Sequence, residues 1–372
     1  MRARDLGIRI GRMPAGELNA ITDVAGVRVG HTTLVSGDGA LTPGRGPIRT
    51  GVTVVVPHDG DVWTEPIFAG AHRLNGNGEL TGLEWIRESG MLAGAIGITN
   101  THSVGVVHDA LIAAAAAAHG PNETFWSLPV VGETYDGALN DINGFHVRPE
   151  HVEMALAAAS GGVVAEGNVG GGTGMICHEF KGGIGTASRT TGTWTVGVLV
   201  QANYGERALL RIDGVPVGAA IPRDKVPSPW DAVERLGNRV GPEGGSIIGI
   251  VATDAPLLPH QCARLAQRVG MGVARMGSYA SHGSGDMFLA FATGNRGLSH
   301  QAGEDDPRAT VSLNMVVDEQ INPLLEATAE ATEESITNAL LAAETMVGRD
   351  DITAHALDPE RLRALMGDRL RT

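Results

Sequence analysis

Gly244-Gly245-Ser246-Ile247-Ile248-Gly249-Ile250-Val251-Ala252-Thr253 is the stretch on which the reading of this chain turns. A glycine pair runs straight into an apolar, β-branched segment, which predicts a strand beginning at Ser246. Upstream, Pro222 to Gly245 has the composition of an exposed linker, with four prolines among charges and glycines. The run fails the nucleophile-elbow pattern GxSxG, because Ile248 stands where glycine is required and Gly249 falls one residue late. Ser284 fails it too, with His282 and Asp286 at the glycine positions. A serine at such a junction has another use. Its hydroxyl can attack the Gly245 carbonyl in an N→O acyl shift, water can hydrolyse the resulting ester, and the serine becomes a new N-terminus. Gly245 helps by accepting strained backbone angles. The freed α-amine, with a pKa near ~7.7–8.0, then serves as base. The same residues also read locally as an ordinary turn before a strand.

Outward from this junction the pattern mixes strands and helices. Gly51 to Pro57 and Gly94 to Thr99 read as buried strands, and Gly185 to Asn203 as a long hairpin. Leu209 to Val217 reads as strand, turn, strand. Val104 to Ala118, ending in an alanine run, predicts a helix packed closely on a sheet. Pro149 to Ala159 predicts another, with Pro149 in its first turn and Gly161-Gly162 beyond its end. After the Ser246 strand come an amphipathic helix over Pro259 to Ala274, a strand over Asp286 to Ala292, and helices over Glu326 to Val347 and Pro359 to Met366. This order fits a layered α+β arrangement, with helices covering stacked sheets.

Composition excludes several classes. The 372 residues carry a net charge of −14, which repels a phosphate backbone, and only Lys181 and Lys225 are lysines. Apolar residues reach 42%, enough for a substantial core, while aromatics are 4% and glycines number 53. Cys177 and Cys262 stand far apart with no CxxC partner, so they are expected to be buried and reduced. Thirteen histidines show no HExxH or HxH pattern, and His102 and His108 have the wrong spacing for one helical face, so no metal and no cofactor are expected. Gly167 to Gly174 lacks GxGxxG spacing and a following Lys-Ser/Thr; it reads as a tight turn or a wall close to a ligand. Met1-Arg2-Ala3-Arg4-Asp5 leads into no signal-peptide core, and no segment approaches ~20 uninterrupted apolar residues, so a cytoplasmic location and no membrane partner are expected.

Several motifs occur together in one order: Ile21 to Val27, Glu133-Thr134-Tyr135-Asp136-Gly137, Leu139-Asn140-Asp141, Gly167 to Gly174, Val200 to Gly205, Gly244 to Ile248 and Gly283 to Asp286. With these the whole chain resembles the self-processing serine hydrolases that comprise the β-peptidyl aminopeptidases and the L-aminopeptidase/D-amidase-esterases of the DmpA type. The resemblance implies a four-layer αββα sandwich, like other N-terminal-nucleophile hydrolases but with different strand connectivity. It implies one catalytic domain, 1–372, cut between Gly245 and Ser246 into chains 1–245 and 246–372, and a homo-oligomer, a tetramer of processed heterodimers. Ser246 matches the nucleophile, Ser284 a second serine that relays its proton, and Asp286 a carboxylate that orients this network. Asn203 matches the side-chain amide of the oxyanion hole. Glu133 matches the carboxylate that binds the substrate's free ammonium, with Tyr135 in the same pocket wall. The implied substrates are small peptides, amides or esters with a free amino end.

The sequence leaves two rivals open. One is acyl transfer of the ornithine acetyltransferase type, whose nucleophile is threonine rather than the serine found here. The other is an uncleaved protein that binds an amine or amino acid through Glu133 and the glycine run.

Overall fold

The computed structural model describes residues 1–120, 125–237, 241, 245–298 and 310–371. The strands are β1 (Arg28–Ser36), β2 (Ile48–Val56), β3 (Ile67–Arg73), β4 (Met91–Leu92), β5 (Ile96–Asn100), β6 (Val130–Thr134), β7 (Ile176–Cys177), β8 (Phe180–Lys181), β9 (Gly183–Thr190), β10 (Thr195–Asn203), β11 (Ser246–Thr253), β12 (Gly285–Ala292), β13 (Met346–Val347) and β14 (Thr353–Ala354). The helices are α1 (Leu83–Ser89), α2 (Val104–His119), α3 (Pro149–Ala157), α4 (Pro229–Arg235), α5 (Pro259–Arg275), α6 (Asn322–Ala342) and α7 (Pro359–Met366).

Two sheets form the centre. One has the order β1-β2-β5-β6 and the other β4-β3-β12-β11-β10-β9. Within the larger sheet β11 runs parallel to β12 and antiparallel to β10. Alternation along β11 builds two cores from one strand. Ile248, Ile250 and Ala252 pack with Val55, Ile96, Ile98 and Val130 between the sheets. Ile247 and Val251 pack on the other side with Leu265 and Val269 of α5 and Ile336 and Leu340 of α6. The outer face of the smaller sheet is closed by α2 and α3, through Val107, Ala110, Leu111, Val152 and Ala155 against Val52, Val54 and Val131. The layers are therefore helix, sheet, sheet, helix, and each buried Ile or Leu adds roughly 1.5–3 kcal/mol. The expected α+β αββα architecture is what the chain adopts.

The glycine run forms a tight turn, one of the two readings expected of it. Gly170–Gly172 is a buried 3₁₀ turn wedged between the sheets. A Cβ on Gly171 would stand 2.2 Å from Gln201 Oε1 and 2.7 Å from the Ile98 carbonyl oxygen, so backbone alone fits there. Both cysteines are buried and free.

Several boundaries differ from the sequence reading. Leu209 to Val217 is not a pair of strands: a 3₁₀ turn at Arg207–Leu209 leads to an isolated Ile212–Val215 bridge. The supposed linker contains α4, capped by Ser228 Oγ accepting from Trp230 N, while residues 238–240 and 242–244 lie outside the described ones. Helix α6 begins earlier than expected, with a proline in its first turn, and stops at Ala342, so Met346–Val347 is free to pair with β14. The segment Thr101–His119 is long and apolar enough by composition to cross a membrane, although His108 and Asp109 interrupt it. In the fold its α2 portion covers β5 and β6.

Candidate active site

Register places the candidate residues. Ser246 opens β11; its partner across β10 is Asn203, and its partner across β12 is Gly285. Directly opposed residues of an antiparallel pair share a face, so the Ser246 and Asn203 side chains lie on one side of the sheet, that of the inter-sheet core. Both are 4% exposed.

The Gly285 backbone amide links the two sides of the Gly245–Ser246 bond. Its N–H lies 3.2 Å from the Gly245 carbonyl oxygen and 3.3 Å from Ser246 Oγ. One donor thus faces both the carbonyl that an acyl shift would attack and the hydroxyl that would attack it. Gly245 is needed here for space rather than for an unusual φ. A Cβ on it would meet the Asn203 carbonyl oxygen and Tyr204 Cα, each at 2.6 Å. Both obstacles are backbone, so Gly245→Ala must displace the junction. Cleavage in that variant is expected to slow by at least about tenfold, followed as fragment appearance over time on a denaturing gel.

Asn203 is held at both ends of its amide. Its Oδ1 accepts from Ile176 N at 2.8 Å, and its Nδ2 donates to the Tyr135 carbonyl at 2.9 Å. The second Nδ2 hydrogen has no partner among the described residues, so it can serve an oxyanion. Lys181 supports this arrangement. It is buried, and its Nζ donates to the Met175 and Gly182 carbonyls, both at 2.8 Å, which ties down the chain beside Ile176. Nothing in its local sequence marked it.

Ser284 and Asp286 form their own pair. Ser284 Oγ donates to Asp286 Oδ1 at 2.6 Å, and Asn75 Nδ2 donates to Oδ2 at 3.3 Å. Burial pushes the Asp286 carboxyl up, and these two bonds partly offset the rise. Alternation along β12 puts Asp286 on the face opposite the Ser246 side chain, beside Ile247. Neither Ser284 nor Asp286 hydrogen-bonds the Ser246 hydroxyl in the intact chain, so the expected serine relay is not assembled there.

Glu133 is the penultimate residue of β6, the edge strand of the smaller sheet. It is 2% exposed. Its Oε1 accepts from Glu79 N at 3.1 Å, and its Oε2 accepts from Thr101 Oγ. Burial pushes its pKa up, against the pull of these two bonds. A Cβ on Gly78 would lie 2.9 Å from Glu133 Oε1 and 3.3 Å from Gly285 Cα, so one glycine separates this carboxylate from the Gly285 amide. Tyr135, two residues further along the chain, is half-buried; its carbonyl holds Asn203, and burial raises its phenol.

The segment 73–79 threads the whole site. Asn75 holds Asp286, Asn77 N donates to the Ser284 carbonyl at 3.3 Å, Gly78 abuts Glu133 and Glu79 N holds it. Sequence reading passed over this segment because Asn and Gly there look like ordinary turn residues. No group of three or more His, Cys, Asp or Glu among the described residues could hold a metal ion.

Comparison with known proteins agrees with this arrangement. A model of peptidase family S58 matches residues 19–354. The chain is 48% identical to the β-peptidyl aminopeptidase BapA of Sphingosinicella microcystinivorans, over 98% of this chain and 91% of that protein. A β-aminopeptidase from a Burkholderia species superposes with a TM-score of 0.89 at 52% identity, covering 98% of each chain. The L-aminopeptidase D-Ala-esterase/amidase of Ochrobactrum anthropi, described as a prototype serine aminopeptidase with a variant of the Ntn hydrolase fold, superposes with a TM-score of 0.89 at 42% identity over 99% of each chain. These relatives are peptidases and amidases, and they lend nothing to the acyltransferase or binding-protein alternatives. This chain belongs to peptidase family S58 and is a hydrolase of the aminopeptidase type, built on a variant of the N-terminal-nucleophile hydrolase fold.

Proposed function

We propose that the protein cuts itself between Gly245 and Ser246 and then uses Ser246 to release the first residue of short peptides, amides or esters through an acyl-enzyme. The observation that carries this reading is the Gly285 N–H shared between the Gly245 carbonyl oxygen and Ser246 Oγ. In the first stage Ser246 Oγ attacks the Gly245 carbonyl carbon, the C–N bond breaks, and water hydrolyses the ester. In the second stage the freed α-amine accepts the hydroxyl proton as Ser246 attacks the substrate carbonyl. The oxyanion is held by Asn203 Nδ2 and the Gly285 N–H. The amine passes the proton to the leaving group, and water then releases the acyl residue. Ser284 and Asp286 act after cleavage, when a free Ser246 amine can turn towards the carboxylate beside Ile247. A tetramer of processed heterodimers in the cytoplasm completes the reading, testable by light scattering on the purified enzyme and by cell fractionation.

The test is direct. Purified protein should give two fragments, 1–245 and 246–372, with Ser246 at the head of the smaller one by N-terminal sequencing. It should hydrolyse at least one of a panel of L-, D- and β-aminoacyl p-nitroanilides. The β-aminoacyl substrates are the first choice, because the relative at 48% identity bears that specificity in its name. An intact chain that hydrolyses none of them would refute the proposal.

Glu133 supplies the amino-end preference in this reading, because a buried carboxylate favours an ammonium and offers an internal amide no matching contact. Glu133→Gln is expected to raise KM for free-amine substrates by about 10- to 100-fold. The sign of its pH dependence follows from its raised pKa. Above that pKa Glu133 is anionic and binds the ammonium; as pH falls through it, the carboxyl neutralises and KM climbs. The climb should begin at a higher pH than for an ordinary glutamate, and the Gln variant should lack it. Steady-state kinetics across pH checks both points.

A further inference from the structure

A cleft of about 490 Å³ opens beside the site, lined among others by Arg73, Gly78, Glu79, Leu80, Trp85 and Met287. Its size is that of a small-ligand pocket. Gly78 and Glu79 connect it to Glu133, and Met287 connects it to Gly285, two residues back along β12. Arg73, the last residue of β3, stands in register opposite Met287. Ile67, Ala69 and Ala71 pack against the inter-sheet core, so by alternation Arg73 points to that same side of the sheet, the side of Ser246. Two strand spacings and two residue rises separate the Arg73 and Ser246 Cα atoms by roughly 12 Å.

The Arg73 guanidinium forms no hydrogen bond or ion pair with any described residue. Two carboxylates line the same cleft. Glu84 is taken by Arg87, and Glu79 makes no ion pair among the described residues. Arg73 runs past Gly76, where a Cβ would stand 3.5 Å from Arg73 Cδ, and so lies at the start of the segment that threads the site. A substrate held by its ammonium at Glu133, with its scissile carbonyl at Ser246, would send its leaving residues into this cleft. At about 3.5 Å per residue, a carboxylate one or two residues beyond the scissile bond comes within reach of an arginine side chain.

We propose that Arg73 binds the free carboxylate of the leaving portion, so that the preferred substrates are peptides of two or three residues with both termini free. This rests on the aminopeptidase reading above. A guanidinium–carboxylate contact at an open cleft changes binding by about tenfold.

The test uses the processed wild-type enzyme with a dipeptide Xaa-Gly and its amide Xaa-glycinamide, where Xaa is the aminoacyl group preferred among the p-nitroanilides. Wild type should favour the acid over the amide by about tenfold in kcat/KM, mostly through KM. Arg73→Gln should bring the ratio near one, and Arg73→Lys should leave it in between. Raising salt should shrink the wild-type ratio, which keeps the test valid if a variant fails to fold or to process. A wild-type ratio of one, or a ratio that survives in Arg73→Gln, overturns the assignment of Arg73. Failure of wild type on p-nitroanilides and dipeptides alike overturns the aminopeptidase reading itself.

Discussion

Ser246→Ala is expected to leave one full-length chain and to remove hydrolysis almost completely, by about 10⁵–10⁶-fold. The size follows from the two duties proposed for one residue. Its hydroxyl is the only atom of Ser246 that can attack the Gly245 carbonyl, and cleavage is the only source of the free amine that would serve as base. Alanine removes the first and so never creates the second. Packing gives no competing explanation, because the change deletes one oxygen from a site that is 4% exposed and leaves the strand that follows untouched. Ser246→Thr keeps the hydroxyl but adds a methyl group in that confined space, so it should process slowly and incompletely. Gel analysis and N-terminal sequencing of the three proteins, with activity measured on the same samples, decides the matter. Ser246→Ala protein that is still cut at the same bond would show that another group attacks Gly245.

Much of this fold is legible in the sequence, for identifiable reasons. Strand β11 and helix α7 begin and end where they are read, because a β-branched run follows Gly-Gly in one and Asp358 caps a Pro-initiated turn in the other. Strands β1, β3 and β6 escaped notice. Their runs contain His, Arg, Glu and Gly, and partners distant in sequence, rather than local pattern, make them strands. The site divides the same way. The Gly-Gly-Ser junction announces itself, but the alignment of Asn203, Ser246 and Gly285 is a register property of three strands. No local feature marks Glu133, whose partners Thr101 and Glu79 come from other parts of the chain. Gly245 shows the limit most clearly. Sequence suggested a residue chosen for unusual backbone angles, whereas the structure gives close approach to Tyr204 as the reason.

Asn203→Ala is expected to lower kcat by about 10²–10³-fold, the cost of removing one oxyanion donor, or ~2.7–4 kcal/mol. The geometry makes the donor usable. Ile176 N fixes Oδ1 and the Tyr135 carbonyl takes one Nδ2 hydrogen, so the amide cannot flip and its remaining hydrogen keeps one direction. Alanine also orphans the Ile176 N–H and the Tyr135 carbonyl, at a cost of roughly 1–3 kcal/mol each in stability. A purely structural role would therefore produce a lower Tm without a selective effect on chemistry. Asn203→Asp separates the two roles, because its carboxylate still accepts from Ile176 but donates nothing. If Asn203 stabilises the oxyanion, the Asp variant should lose kcat and kcat/KM to about the same extent as the Ala variant, since the lost contact belongs to the transition state. Both variants should also process more slowly if the proposed cleavage at Gly245 draws on the same donor. An Asp variant that retained near wild-type kcat would leave Asn203 as a brace for the Ile176 loop, and the Gly285 amide as the donor that bears the developing charge.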